Sequence, residues 1–311
     1  MTSGPCPACG GRLSRWRSVP SSEPRFADSR FALARCDRCG SAVTLGEPPP
    51  RLHESGAYGI AAPRFHRLAR PVLRGFDRQR LAMLRPLGAP GARLLDVGAG
   101  RGRFVTSALA AGYDARGIEP SPRGMDEARL EDEVRLERVG IEQADVEEGT
   151  LDAVTIWHVL EHLDDPRRAL LRMRGWVRPG GALLVGVPNL ASAQALLGGA
   201  RWYHLDVPRH RVHFTPAGIR SLLTASGFEP VRTHHVLAEH NTFGMWQSLV
   251  NRGTRHPSYL YNLLKRNAPM RSGDLAITAL ALPLAPFAAL AEVLAGVARR
   301  GGTIAVLARR R

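Results

Sequence analysis

An apolar strand running straight into a glycine turn constrains this chain more than any other feature: Leu94-Leu95-Asp96-Val97-Gly98-Ala99-Gly100-Arg101-Gly102-Arg103-Phe104. Gly98 and Gly100 let the backbone pass close to a ligand, and Gly102 lets the following helix start tight against the strand. The spacing is GxGxG, not the GxGxxG of a dinucleotide site, and the strand carries Asp96 near its end. A pyrophosphate needs the positive end of a helix, and an acid there would repel it. An acid at that position suits a ligand with ammonium and sulfonium charges. Glu119, nineteen positions after Gly100, falls where an acid accepts hydrogen bonds from ribose hydroxyls. Each such charge-assisted bond contributes about 1.5–3 kcal/mol when well made.

From Ala92 onward, strand and helix signals alternate, which is the pattern of a parallel sheet covered by helices. The expected strands are 93–97, 114–118, 134–139, 153–157, 182–187, 230–236 and 303–307. Asp165 before Pro166 and Thr215 before Pro216 read as helix caps, and Gly227 reads as a helix stop. Ahead of the sheet stands a stiff break, Glu47-Pro-Pro-Pro-Arg51. Residues 63–88 then read as a lead-in helix pair, with Phe65, Leu68, Val72, Leu73, Phe76, Leu81, Leu84 and Leu87 as its apolar positions.

All four cysteines lie in the first 40 residues, as Cys6-Pro-Ala-Cys9-Gly and Cys36-Asp-Arg-Cys39-Gly. Two residues between thiolates let both sulfurs reach one tetrahedral ion, and the glycine after each pair permits a left-handed turn around it. Four thiolates close the coordination sphere, so such a zinc is structural and not catalytic. Two redox pairs or inert buried cysteines are the alternatives, but neither CxxC opens a helix in a thioredoxin-like context. A ribbon of this size holds too small a core without its metal.

Charge does not select a partner. The chain carries a net charge of +15, nearly all of it arginine, with Lys265 the only lysine. That balance suits nucleic acid or an anionic membrane surface, yet the arginines are scattered from Arg12 to Arg311. Met1 to Gly11 holds no apolar signal region, so the expected location is the cytoplasm.

Residues 92–236 resemble the class I S-adenosylmethionine (SAM)-dependent methyltransferases, in the broad group that includes the ubiquinone-biosynthesis O-methyltransferases. The motifs occur in order: LLDVGAGRGRF, GIEPS at 117–121, LDAVTIWHVLEHLDDP at 151–166 and RPGGALLVGVPN at 178–189. The run WYHLDVPRHRVHFTPAGIRSLLTASGFE at 202–229 is similar to the segment that closes over the substrate pocket in that group. The resemblance implies an α/β fold with a doubly wound, Rossmann-like sheet of seven strands. It also implies SAM as cofactor. Asp96, Gly98, Gly100 and Gly102 would hold the methionine end, Glu119 the ribose, and Ile141 with Glu142 the adenine edge. Ala99, Pro120, Trp157 and His158 would complete the contacts. The group often has Gly-Asp at the adenine edge, where this chain reads Gly140-Ile141-Glu142.

A sulfonium methyl is already activated, so methyl transfer mainly needs two groups brought together, and proximity supplies about 7–11 kcal/mol. What remains is to deprotonate an oxygen or nitrogen, a task that suits histidine near neutral pH. The candidates are His158, His162, His210 and His213, with His204 nearby in the covering segment. Some relatives bind a divalent cation through Glu-x-x-Glu-His at the position of His158-Val-Leu-Glu161-His162. Here His158 replaces the first acid, so metal binding and simple ordering of the loop both stay open.

Residues 237–301 stand where a short hairpin would join two strands. They contain an uncharged run, 275–291, broken by Pro283 and Pro286, which is marginal for a membrane span. If 303–307 is the last strand of a cytoplasmic sheet, the chain cannot finish on the far side, and a single crossing is excluded. Either the segment (259–298) touches the inner face of a membrane peripherally, or it packs on protein or on a homodimer partner. Tyr259 to Arg266 mixes aromatic, aliphatic and basic residues as interfacial segments do.

The expected division is therefore a zinc ribbon (1–46), a linker with lead-in helices (47–91), a SAM-binding core (92–236), a helical insertion (237–301) and a final strand (302–311). The expected activity is O-methylation of a small-molecule or lipid- or sugar-linked acceptor. One rival is an RNA methyltransferase that uses the ribbon to bind RNA; against it, strand four leads into His-Val-Leu-Glu-His and not the Asn-Pro-Pro-Tyr type of loop. The other is a non-catalytic SAM-fold binding module, which intact Asp96, Gly98, Gly100 and Glu119 disfavour.

Overall fold

A computed structural model describes residues 4–47, 66–121, 135–239 and 241–311. The N-terminal unit is an antiparallel sheet of β1 (Leu13–Pro20), β2 (Arg30–Cys36) and β3 (Ala42–Thr44). Helix α1 (His66–Leu84) follows. It is one helix, not the expected pair: nothing between Pro71 and Pro86 interrupts its hydrogen-bond ladder, and it ends two residues before Pro86, which disfavours helical geometry in the residue preceding it. Residues 48–65 of the expected linker lie outside the described residues.

The central unit comprises β4 (Arg93–Val97), α2 (Arg103–Ala110), β5 (Asp114–Ile118), β6 (Leu136–Glu137), β7 (Leu151–Trp157), α3 (Pro166–Trp176) and β8 (Val177–Pro188). Then come α4 (Ala193–Gly198), β9 (Val212–His213), α5 (Pro216–Ala225) and β10 (Phe228–His234). Helices α6 (Asn241–Val250), α7 (Tyr259–Leu264), α8 (Ser272–Leu280) and α9 (Ala285–Val297) precede β11 (Thr303–Arg310).

Seven strands form one sheet in the order β10-β11-β8-β7-β4-β5-β6, with β11 antiparallel to both neighbours and β4 to β8 parallel. Alternate strand residues feed two cores. Leu95, Val97, Ile156, Val185 and Val306 pack with α3 and α5, whereas Leu94, Leu184 and Leu307 pack with α1 and α2. Asp165 and Thr215 cap α3 and α5 as expected, accepting from Arg168 N at 3.0 Å and Gly218 N at 3.1 Å. Because β4 lies between β5 and β7, the chain leaves it in opposite directions, and the fork at these strand tips is where such sheets bind ligands.

Two strands depart from expectation. β8 starts at Val177, ahead of Pro179-Gly180-Gly181, and the register with β7 slips between Leu151 and Ala153 to absorb these residues. Of the expected strand 134–139 only Leu136–Glu137 pairs, and Val134 lies outside the described residues. The N-terminal unit is also no separate bead. Strand β9, from the segment over the cleft, adds to β3 as a fourth strand through Ala42↔His213 and Val43↔Val212.

Candidate active site

Gly98, Gly100 and Gly102 all take left-handed backbone angles, with φ of 72°, 56° and 77°. The amides of Gly98 and Ala99 donate to Ile118 O at 2.9 and 3.0 Å, binding the turn to β5. A side chain at Gly98 would collide with Val159, while a Cβ at Gly100 would meet no described atom within 4 Å. The turn is therefore tight on the protein side and open on the other.

Glu119 ties two strand tips together: its carboxylate accepts from Gly100 N and Ser121 N, both at 2.9 Å. Burial pushes its carboxyl above the ordinary range, and these two amides oppose the rise. Asp96 is buried and does not face the cleft alone. It pairs with Arg80 of α1 and accepts from Thr155 Oγ1 at 2.6 Å. The Arg80 guanidinium lies 3.8 Å over the Phe104 ring and 5.0 Å from the Trp157 ring. Asp96, expected at the methionine end, is thus already balanced by a protein cation.

Sequence reading missed Arg80. The available signal was Asp77 and Arg80 on the helix face that also buries Leu81 and Leu84. Asp77 continues the network, 3.2 Å from Arg103, which in turn lies 2.6 Å from Glu239.

At the proposed adenine edge, Ile141 packs against the core and its carbonyl accepts from Arg172 Nε at 2.7 Å. Glu142 is exposed and paired with Arg168 of α3 at 2.8 Å, so its charge is directed to α3 at the surface. Pro120 follows Glu119 and is exposed.

The histidines converge at the tip of β7. His158 holds a left-handed conformation, φ 54°, costing on the order of 1 kcal/mol or more for a residue with a Cβ. Its amide donates to Gly186 O at 2.9 Å. Its Nδ1 lies 3.0 Å from Glu161 Oε1, and its ring stacks on His204 at 5.9 Å with planes 7° apart. Burial alone would raise the Glu161 carboxyl, but the His158 hydrogen bond, with His210 and His162 nearby, outweighs it and holds the group at about 2.

His162 and His210 meet edge to face at 4.7 Å. His162 Nδ1 lies 3.1 Å from Arg209 O, and His210 Nδ1 lies 2.9 Å from His204 O. Burial, aided by His162, lowers His210 to about 4. The side chains whose ligand atoms lie within 4.8 Å of one another are Glu161, His162 and His210, so His210, from the covering segment, joins two members of the His158-Val-Leu-Glu161-His162 run. His213 is buried in β9 with Nε2 3.0 Å from Thr44 Oγ1, and burial, then His210, lowers it to about 3. Its place in the β3–β9 ladder engages it with the N-terminal unit.

The four cysteine sulfurs lie within 4.8 Å of one another, with Cys6 to Cys39 at 3.8 Å and Cys9 to Cys36 at 3.5 Å. Zn–S bonds of about 2.3 Å in a tetrahedron place sulfurs about 3.8 Å apart, whereas a disulfide needs about 2.05 Å. Gly10 and Gly40 follow the two pairs with φ of 73° and 72°, and their amides return to Cys6 O and Cys36 O at 2.7 and 3.0 Å. The two knuckles are thus equivalent, and the donor set fits zinc.

Sheet order and the glycine turn at its switch point are those of the SAM-dependent methyltransferases. The chain belongs to the methyltransferase domain family, whose model matches residues 62–233. The ubiquinone biosynthesis O-methyltransferase of Azorhizobium caulinodans is 30% identical over 178 residues, covering 51% of this chain and 70% of that protein. That of Alkalilimnicola ehrlichii is 35% identical over 108 residues, covering 33% and 44%. The chain spans about half the length of the first curated relatives it matches. Among solved structures, the cyclase SpnF aligns with TM-score 0.50 and 20% identity over 75% of this chain and 80% of its own, a likeness of fold alone.

Proposed function

We propose that the chain transfers the methyl group of SAM to an oxygen of a small-molecule or lipid- or sugar-linked acceptor, with His158 as the base. The observation that carries this reading is the His158–Glu161 pair, 3.0 Å apart at the tip of β7. Glu161 stays ionised and can only accept, so Nδ1 of His158 carries the proton and Nε2 is the basic nitrogen. An acceptor hydroxyl gives its proton to Nε2 as its oxygen attacks, and Glu161 stabilises the imidazolium that forms. SAM, when bound, supplies an activated methyl on a positively charged sulfur. The residues that would hold it are the Gly98–Gly102 turn, Glu119 toward the ribose diol, and Arg80 toward the methionine carboxylate. The four cysteines would hold one structural zinc.

An aromatic acceptor is supported by the half-buried rings beside the histidine stack. Tyr203 contacts His204 at 4.8 Å, Phe243 at 5.4 Å and Tyr261 at 5.7 Å. The RNA reading is disfavoured because the N-terminal unit uses its sheet edge internally. Thr44 Oγ1 donates to His210 O at 2.7 Å, and Glu23 pairs with buried Arg209 at 2.6 Å.

The test is transfer of labelled methyl from SAM to phenol- and sugar-type hydroxyl acceptors, beside calorimetry with SAM and its demethylated product. Expected are cofactor binding by parent and His158→Ala alike, and transfer by the parent alone. Absence of cofactor binding, or equal transfer by His158→Ala, would overturn the reading.

A further inference from the structure

Ser272–Val297 is a helical run whose most apolar window has mean hydropathy 1.9, and only 17% of that window is buried. Helix α9 explains why so little is covered. Ala285, Ala288, Glu292 and Gly296 recur at three- and four-residue steps, and the last three are buried. The Glu292 carboxylate accepts from Gly302 N and Gln194 Nε2, both at 2.7 Å. A Cβ at Gly296 would lie 2.9 Å from His235 O. That face is locked onto the protein.

The opposite face is Leu284, Phe287, Leu290, Leu294 and Val297, exposed by 52%, 69%, 58%, 59% and 71%. Leu280 and Leu282 extend it at 80% and 56%. A helix facing water carries polar side chains there, and an apolar patch of this extent marks a surface that is covered in use.

What covers it follows from charge and chain path. Arg266 and Arg271 precede the face, Arg299 and Arg300 follow it, and all four are exposed. The acids in this stretch, Asp274 and Glu292, are both buried, so the charge presented at the rim is positive. Pro283 and Pro286 interrupt the run, and β11 returns to pair with β8 and β10 inside the sheet. Both ends of the segment therefore stay on one side, which rules out a crossing. Two copies joined face to face would bring like-charged rims together.

We infer that this face enters one leaflet of an anionic lipid bilayer, with the apolar side chains among the acyl chains and the arginines at the headgroups. The inference stands apart from methyl transfer. Flotation of the full chain with vesicles of phosphatidylcholine, alone or with one third phosphatidylglycerol, tests it. The chain is expected to float with the anionic vesicles and about tenfold less with neutral ones. A Phe287→Asp, Leu290→Asp, Leu294→Asp triple variant is expected to stay in the soluble fraction with its melting temperature kept. Arg299→Glu with Arg300→Glu should fall to the neutral-vesicle level. A parent chain that ignores both vesicles, a triple variant that floats like the parent, or a parent dimer that the triple variant dissociates without any vesicle binding would each overturn the inference.

Discussion

Arg80 and Asp96 form a buried ion pair that fastens helix α1 to the tip of β4, directly behind the glycine turn. Burial pushes the Asp96 carboxyl up, and Arg80 and Thr155 oppose that rise. The strand tip and the lead-in helix are therefore one electrostatic unit, and Arg80 also covers the Phe104 ring.

Removing one partner of such a pair leaves the other as a buried, uncompensated charge, a loss of about 3–5 kcal/mol. Arg80→Leu is expected to lower the denaturant midpoint accordingly and to weaken SAM binding. Arg80→Lys should recover only part of both, because an ammonium lacks the flat guanidinium that lies on Phe104. Chemical unfolding and calorimetry measure the two effects, and an Arg80→Leu chain as stable as the parent would contradict the unit.

Glu119 is expected to control cofactor affinity. Glu119→Ala removes the acceptor for Gly100 N and Ser121 N as well as the proposed ribose contact. A loss of about 1.5–3 kcal/mol corresponds to a SAM Kd roughly 10- to 150-fold weaker. An unchanged Kd in calorimetry would remove Glu119 from the site.

Glu161→Gln keeps the shape of the pair while removing the charge that orients His158. A general base typically contributes about 10²–10⁴-fold, so kcat should fall by about 100-fold or more with KM for SAM little changed. A variant that keeps its kcat would assign Glu161 to packing alone.

Stability should decline in mild acid. His210 and His213 are held near 4 and 3 when folded, below the ordinary value of 6.5. As pH falls from 6.5 toward 4 the unfolded chain binds their protons first, so unfolding becomes easier, by on the order of 2–3 kcal/mol per histidine at the acid end. Glu161 acts in the same direction from about 4.5 toward 2, because its carboxylate is favoured in the fold. Urea midpoints at pH 7.5 and 5 check this, and His213→Gln should flatten the difference.

The cysteine site should hold the segment over the cleft as well as its own knuckles. Thr215 Oγ1 donates to Cys39 O at 2.6 Å, and Thr215 N donates to Ser41 Oγ at 3.1 Å. Metal analysis is expected to find about one zinc per chain. Cys36→Ser should speed hydrogen exchange in 209–215, far from the substitution in sequence. Unaltered exchange there would separate the two units.

The seven-stranded sheet and its glycine turn were legible in the chain because their causes are local. Parallel strands buried on both faces are apolar runs, positive φ calls for glycine, and Asp165 and Thr215 cap helices through residues three positions away. The two knuckles were legible for the same reason, since each closes within five residues. Tertiary structure alone decided the rest. β9 is two residues long and exists only because β3, some 170 positions earlier, offers an open edge. Arg80 became part of the site only when α1 met β4. His213 was drawn to the N-terminal sheet, and His210 joined His158 and His162 around Glu161. Whether the apolar insertion was covered depended on which face of α9 the buried Glu292 carboxylate turned inward. Local preference is written residue by residue, whereas the partner of a buried charge or an open strand edge depends on where distant segments come to rest.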